Sequence, residues 1–127
     1  MHGLHLTADL HGCRCAQLWL TDAAALGRAC LAAVQASGLQ AVGQVCHAFP
    51  ATVHGPGGVT ATVLLAESHL CVHTWAESRS VSLDVYVCNF GADHSARAEQ
   101  LMAALHELFE PDEVVRRSVE RGAAPTT

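Results

Sequence analysis

Three strand-length runs follow one another between Val59 and Cys88, with so little chain between them that each must pack beside its neighbour. Val59 to Ala66 is short and almost wholly apolar, which predicts a strand buried on both faces. After the step Glu67-Ser68 comes His69 to Trp75, and after residues 76–79 comes Ser80 to Cys88. Strand side chains alternate, so His69, Cys71, His73 and Trp75 share one face while Leu70, Val72 and Thr74 share the other. In the third run Ser82, Asp84, Tyr86 and Cys88 oppose Val81, Leu83, Val85 and Val87. Both strands therefore offer an apolar face to helices and a polar face to chemistry.

The flanking sequence supplies those helices. His2 to Leu10 alternates as a strand. Thr21 or Asp22 can cap a helix over Ala23–Val34, which ends before Ser37-Gly38. Leu39 to Phe49 reads as a strand, and the loop Pro50 to Gly58 follows with two prolines and three glycines. Asp93 can cap a second helix, in which Ala98, Leu101, Met102, Leu105, Leu108 and Phe109 form one apolar stripe. Pro111 closes it. Glu113 to Arg121 alternates as an edge strand, and the tail after Gly122 is expected to fray. This order predicts an α+β two-layer sandwich, with helices on one face of a mostly antiparallel sheet. The polar sheet face then needs a cover, and a second subunit is the simplest one.

Composition narrows the function. The 127 residues, 50% of them hydrophobic, make one domain spanning 1–127 with an adequate core. A formal charge of −5 and a basic complement of seven arginines leave no stripe for phosphates, so no nucleic-acid partner is expected, whereas a cationic substrate is favoured. No apolar run is long enough to span a membrane, and Met1-His2-Gly3-Leu4-His5 lacks a signal-peptide layout, which points to the cytoplasm. There the six cysteines are expected to be reduced thiols. Cys13-Arg14-Cys15 lacks a second pair at zinc-ribbon spacing, and no metal is expected.

The chain contains no lysine. An amine substrate is commonly activated for decarboxylation by a carbonyl cofactor, and pyridoxal needs an active-site lysine to hold it. A serine whose own hydroxyl breaks its peptide bond offers another route, because the new chain end can become a pyruvoyl ketone. Ser68, in Glu67-Ser68-His69-Leu70, is the candidate.

Several segments carry a family resemblance: Gly58-Val59-Thr60, Leu65-Ala66-Glu67-Ser68-His69-Leu70, His73-Thr74-Trp75-Ala76-Glu77 and Leu83-Asp84-Val85-Tyr86-Val87-Cys88-Asn89-Phe90-Gly91. With the Met1-His2-Gly3-Leu4-His5-Leu6 start and the Gly91-Ala92-Asp93 helix entry, the chain resembles the prokaryotic S-adenosylmethionine decarboxylase proenzyme family along almost its full length. The resemblance implies self-cleavage between Glu67 and Ser68 into chains 1–67 and 68–127. Ser68 becomes the pyruvoyl group that forms the Schiff base with substrate. His73 is then the base of processing, a role that suits an imidazole. Thr60 supplies a hydroxyl that assists processing, and Cys88 donates the proton after carbon dioxide leaves. Glu77 accepts hydrogen bonds from the ribose hydroxyls, and Phe49 stacks on adenine near the sulfonium. The implied product is decarboxylated S-adenosylmethionine, the aminopropyl donor for spermidine. The implied assembly is a homo-oligomer of cleaved protomers, at least a dimer, with sites at the interface.

Because His73 follows Ser68 by five, alternation puts them on opposite faces of an ideal strand, so Ser68 is expected at a turn. Arg79 and Ala76, where many relatives have proline, depart from the family pattern. Alternatives are an arginine or ornithine decarboxylase using the same chemistry, a non-catalytic regulatory paralogue, and a metal protein using His69-x-Cys71-x-His73.

Overall fold

In the computed structural model, which describes residues 2–125, the chain runs β1 (Gly3–His11), α1 (Leu18–Thr21), α2 (Ala23–Ala36), β2 (Ala41–Ala48), β3 (Val59–Leu65), β4 (Ser68–Trp75), β5 (Ser80–Cys88), α3 (Ser95–Phe109) and β6 (Glu113–Arg121). The six strands form one sheet in the order β2-β3-β4-β5-β1-β6, and every pairing is antiparallel. Helices α2 and α3 pack on the same face, as the two-layer expectation required: α2 covers β2 and β3, and α3 covers β1 and β5. Leu6, Leu26, Val63, Leu70, Val85, Leu101 and Phe109 are fully buried between the layers.

Local chemistry sets the helix ends. The Asp22 carboxylate accepts the Ala25 N–H at 3.0 Å, so Asp22, not Thr21, caps α2. The helix stops at Ser37, where Gly38 takes a left-handed φ of 85°. At α3 the expected cap is displaced. His94 occupies the capping position and contributes no side-chain bond there, whereas Asp93, one residue earlier, accepts the Ser95 N–H at 2.9 Å. That hydrogen bond lowers the Asp93 pKa. The single turn α1 has no counterpart among the sequence expectations, being only 4 residues long. Residues 122–125 carry no regular structure, and the rest of the tail lies outside the described residues.

One expectation is corrected. β3 is not buried on both faces: Val59, Ala61, Val63 and Leu65 face the helices, but Thr60 and Thr62 are half-buried and Leu64 is 47% exposed on the other side. The uncovered face also carries the exposed apolar side chains Val45, Trp75, Val115 and Val119. Among the described residues no helix is long and apolar enough to cross a membrane.

Arg79 has a structural account. It takes a left-handed φ of 50°, its Nε donates to the Cys13 carbonyl at 2.6 Å, and Nη2 donates to the Cys15 carbonyl. The Cys13 N–H returns a bond to the Arg79 carbonyl at 2.9 Å, so Arg79 ties the segment after β1 to the β4–β5 turn. All six cysteines are free thiols.

Candidate active site

Antiparallel register decides which candidate residues meet. Thr60 pairs with His73 across β3 and β4, and Thr60 Oγ1 lies 3.0 Å from His73 Nδ1 in a hydrogen bond. Around this pair opens a cleft of ≈ 540 Å³ lined by Phe49, Thr52, His54, Gly58, Thr60, His73, Trp75 and Glu77, among others. Four of the sequence candidates therefore line one concavity: Thr60, His73, Phe49 and Glu77. Phe49 is 51% exposed, with its ring edge-to-face against His47 at 4.7 Å.

The rim also depends on Gly58 and Thr74, to which the sequence assigns no role. The Gly58 carbonyl accepts the Phe49 N–H at 2.9 Å, and a Cβ on Gly58 would sit 1.9 Å from the Thr74 carbonyl oxygen. Only glycine fits that approach. Buried Thr74 completes the brace, accepting the Val59 N–H at 2.8 Å and donating to the Leu20 carbonyl at 2.7 Å. The glycines of the loop 50–58 were a visible signal; the threonine opposite them was not.

Ser68 lies elsewhere. It is the first residue of β4, directly after the turn Ala66-Glu67, and pairs with Leu65. The expected turn is thus adjacent to Ser68, whose own backbone is already in the ladder. Glu67 has a φ of 56°, a left-handed conformation that costs a non-glycine residue about 1–2 kcal/mol. Ser68 Oγ accepts the Cys88 N–H at 3.0 Å, so Ser68 and Cys88 stand together. His73 lies five residues along the strand from Ser68, a distance of about 17 Å. Within one chain the candidates therefore fall into two groups: Glu67, Ser68 and Cys88 at one end of β4, and Thr60, His73, Phe49 and Glu77 at the other.

The His69-x-Cys71-x-His73 set does not converge. His73 bonds Thr60, Cys71 Sγ lies 3.7 Å from Thr62 Oγ1, and His69 turns to Asp84. Burial raises the Cys71 pKa, the opposite of what a thiolate ligand needs.

Known proteins resemble the chain over nearly its whole length. A family model described as S-adenosylmethionine decarboxylase matches residues 4–122. The chain is 34% identical to the S-adenosylmethionine decarboxylase proenzyme of Parasynechococcus marenigrum over 95% of its length and 86% of that protein. It is 32% identical to the proenzyme of Persephonella marina, covering 97% of this chain and 84% of that one. The crystal structure of the adenosylmethionine decarboxylase from Aquifex aeolicus superposes with a TM-score of 0.82 at 27% identity, over 98% of this chain and 94% of that one. With Thr60, Ser68, His73 and Cys88 set in a sheet of this order, the chain belongs to the S-adenosylmethionine decarboxylase family.

Proposed function

We propose that the chain is a self-processing decarboxylase that makes a pyruvoyl group from Ser68 and removes carbon dioxide from S-adenosylmethionine, giving the aminopropyl donor for spermidine synthesis. The observation that carries this reading is the strained junction: Glu67 sits at φ 56° immediately before Ser68, whose hydroxyl is held by the Cys88 N–H. Backbone strain at Glu67, next to the amide to be broken, favours rearrangement of that amide into an ester. Ser68 Oγ attacks the Glu67 carbonyl carbon, the C–N bond breaks, and the acyl group moves to oxygen. Loss of the α-proton of residue 68 then expels the Glu67 carboxylate. Hydrolysis of the resulting dehydroalanine releases ammonia and leaves the ketone.

The residues present suit that group: a serine at a strained turn to form it, and no lysine in the chain to hold a pyridoxal in its place. Once formed, it supplies an electron-withdrawing carbonyl to the substrate amine. His73 removes the α-proton during processing, its ring oriented by the bond to Thr60. Thr60 also offers a hydroxyl to developing negative charge. Cys88 returns a proton to the decarboxylated carbon. In the cleft, the Glu77 carboxylate accepts from ribose hydroxyls. Phe49 faces the adenine and the sulfonium, an attraction of about 0.5–2 kcal/mol.

Because Ser68 lies about 17 Å from His73 along one strand, a complete site takes Ser68 and Cys88 from one copy and the Thr60–His73 pair from another. The uncovered sheet face with Val45, Leu64, Trp75, Val115 and Val119 is the surface two copies would share. The reading is tested by intact-mass spectrometry under denaturing, reducing conditions. Fragments 1–67 and 68–127, the second beginning with a pyruvoyl group, are expected, together with carbon dioxide release from S-adenosylmethionine and none from arginine or ornithine. A single uncleaved chain after long incubation would end the proposal.

A further inference from the structure

The proposed chemistry leaves one cluster of titratable side chains unused. His5 on β1, Asp84 on β5 and His69 on β4 come from three neighbouring strands and meet on the uncovered sheet face. Register brings them together: Tyr86 is paired with His5 on one side and His69 on the other, and Asp84 lies two residues along the same face. His5 Nε2 and His69 Nε2 each lie 2.8 Å from the same oxygen, Asp84 Oδ2. One nitrogen or oxygen from each residue falls within 4.8 Å of the other two. Within one chain the side chains are partly exposed, at 23% for His5, 35% for His69 and 25% for Asp84. Three ordered strands hold the donors, so little has to be reorganised to bring them onto one ion.

We propose that His5, His69 and Asp84 bind one divalent transition-metal ion of the zinc type. Two imidazoles and a carboxylate suit zinc, cobalt, nickel or iron, and leave a position for water; magnesium and calcium require an oxygen-rich set that this cluster does not provide. The site lies on the sheet face that the proposed function assigns to contact between copies, so the ion would sit at that contact, but none of its three ligands is placed in the decarboxylase chemistry.

The hydrogen bonds show what the ion must displace. An ionised carboxylate only accepts, so each Nε2 that bonds Asp84 carries its proton there. Arg121 Nη1 lies 3.1 Å from His5 Nδ1 and can only donate, which fixes His5 as the neutral tautomer protonated at Nε2. A metal on His5 Nε2 moves that proton to Nδ1, directly against the guanidinium, so Arg121 must swing away. The guanidinium therefore opposes the ion twice, as a like charge and as a donor that favours the wrong tautomer. Arg121 ends β6 and also stacks over the Tyr86 ring, 5.6 Å from its centroid, so the ion must displace that contact as well.

The test uses chelator-stripped protein, calorimetry with zinc(II), and titration with cobalt(II) followed by absorbance. One ion per chain is expected, with visible ligand-field bands and without the near-ultraviolet charge-transfer band of a thiolate ligand, which separates this site from the six cysteines. Asp84→Asn and His5→Ala should each weaken binding by at least about tenfold, as loss of a ligand or its support does. Cys71→Ser should leave it unchanged. Arg121→Ala should tighten binding several-fold, a gain that a misfolded variant cannot imitate. Absence of saturable uptake, a thiolate band, or equal affinity in Asp84→Asn would overturn the proposal. Mass spectrometry of chain cleavage on the same samples keeps this result separate from failure of the decarboxylase reading.

Discussion

Consider two variants, Ser68→Ala and His73→Ala, each made alone and then co-expressed with different tags. In one chain, Ser68 and His73 are five strand residues apart, about 17 Å. Bringing them together would require β4 to leave both neighbours, against which Leu70 and Val72 are fully buried. The loss is about 2 kcal/mol for each of those side chains and about 1 kcal/mol for each ladder hydrogen bond broken, which approaches the whole stability of a small domain, roughly 5–15 kcal/mol. That cost disfavours action within one chain, so the proposed roles of Ser68 and His73 predict that they act between copies. Either variant alone should stay uncleaved. In the mixture, random two-fold pairing gives about half of the His73→Ala chains a Ser68→Ala partner that carries an intact His73, so about half of them should be cleaved. Tag-resolved mass spectrometry reads that fraction directly. No cleavage in the mixture would refute the division of the site between copies, and cleavage of His73→Ala alone would remove His73 from processing.

Glu67→Gly should relieve the left-handed strain of about 1–2 kcal/mol and slow chain cleavage, measured as the half-time of appearance of the 68–127 fragment; faster cleavage would show that strain plays no part. Gly58→Ala places a methyl 1.9 Å from the Thr74 carbonyl oxygen, and because that neighbour is backbone, a loss of about 3 kcal/mol is expected in chemical denaturation. An unchanged midpoint would mean that the β3–β4 approach is looser than described. Burial, with the neighbouring Cys46 second, raises the Cys30 pKa from 9.0 to about 12. A raised folded pKa means that stability is full below pH 9.0 and declines as pH climbs toward about 12, at about 1.4 kcal/mol per pH unit. Denaturation of wild type and Cys30→Ala across that interval should show the steeper fall only in wild type.

Much of this molecule is legible in its alternation. The face shared by His69, Cys71, His73 and Trp75 is the uncovered one, and Ser80–Cys88 and Glu113–Arg121 keep the bounds that their patterns suggest. What alternation cannot give is strand order. Nothing in residues 2–11 announces that β1 inserts between β5 and β6, and so nothing places His5 beside Asp84. Composition misleads at β3, where threonines and Leu64 read as core although the helices cover only one side. Arg79 reads only as a departure from the family pattern because its sequence context conceals the carbonyls of Cys13 and Cys15 that it serves. The grouping of Thr60, His73, Phe49 and Glu77 around one cleft follows register, whereas the distance of His73 from Ser68 is visible in the numbering once β4 is known to be one unbroken strand.

The sheet order has a further consequence for a chain divided after Glu67. The leading piece would hold β1, β2 and β3 and the trailing piece β4, β5 and β6, yet across the sheet the order runs β2-β3-β4-β5-β1-β6. The two pieces are interdigitated: β1 of the first is flanked on both sides by strands of the second. Parting them would mean opening three ladders together, β3 with β4, β5 with β1 and β1 with β6, as well as the Arg79 tie to Cys13 and Cys15. Scission would thus change the covalent count without creating a separable subunit. The severed protein should melt as one cooperative body, and once melted it should refold as a bimolecular reaction whose rate depends on dilution.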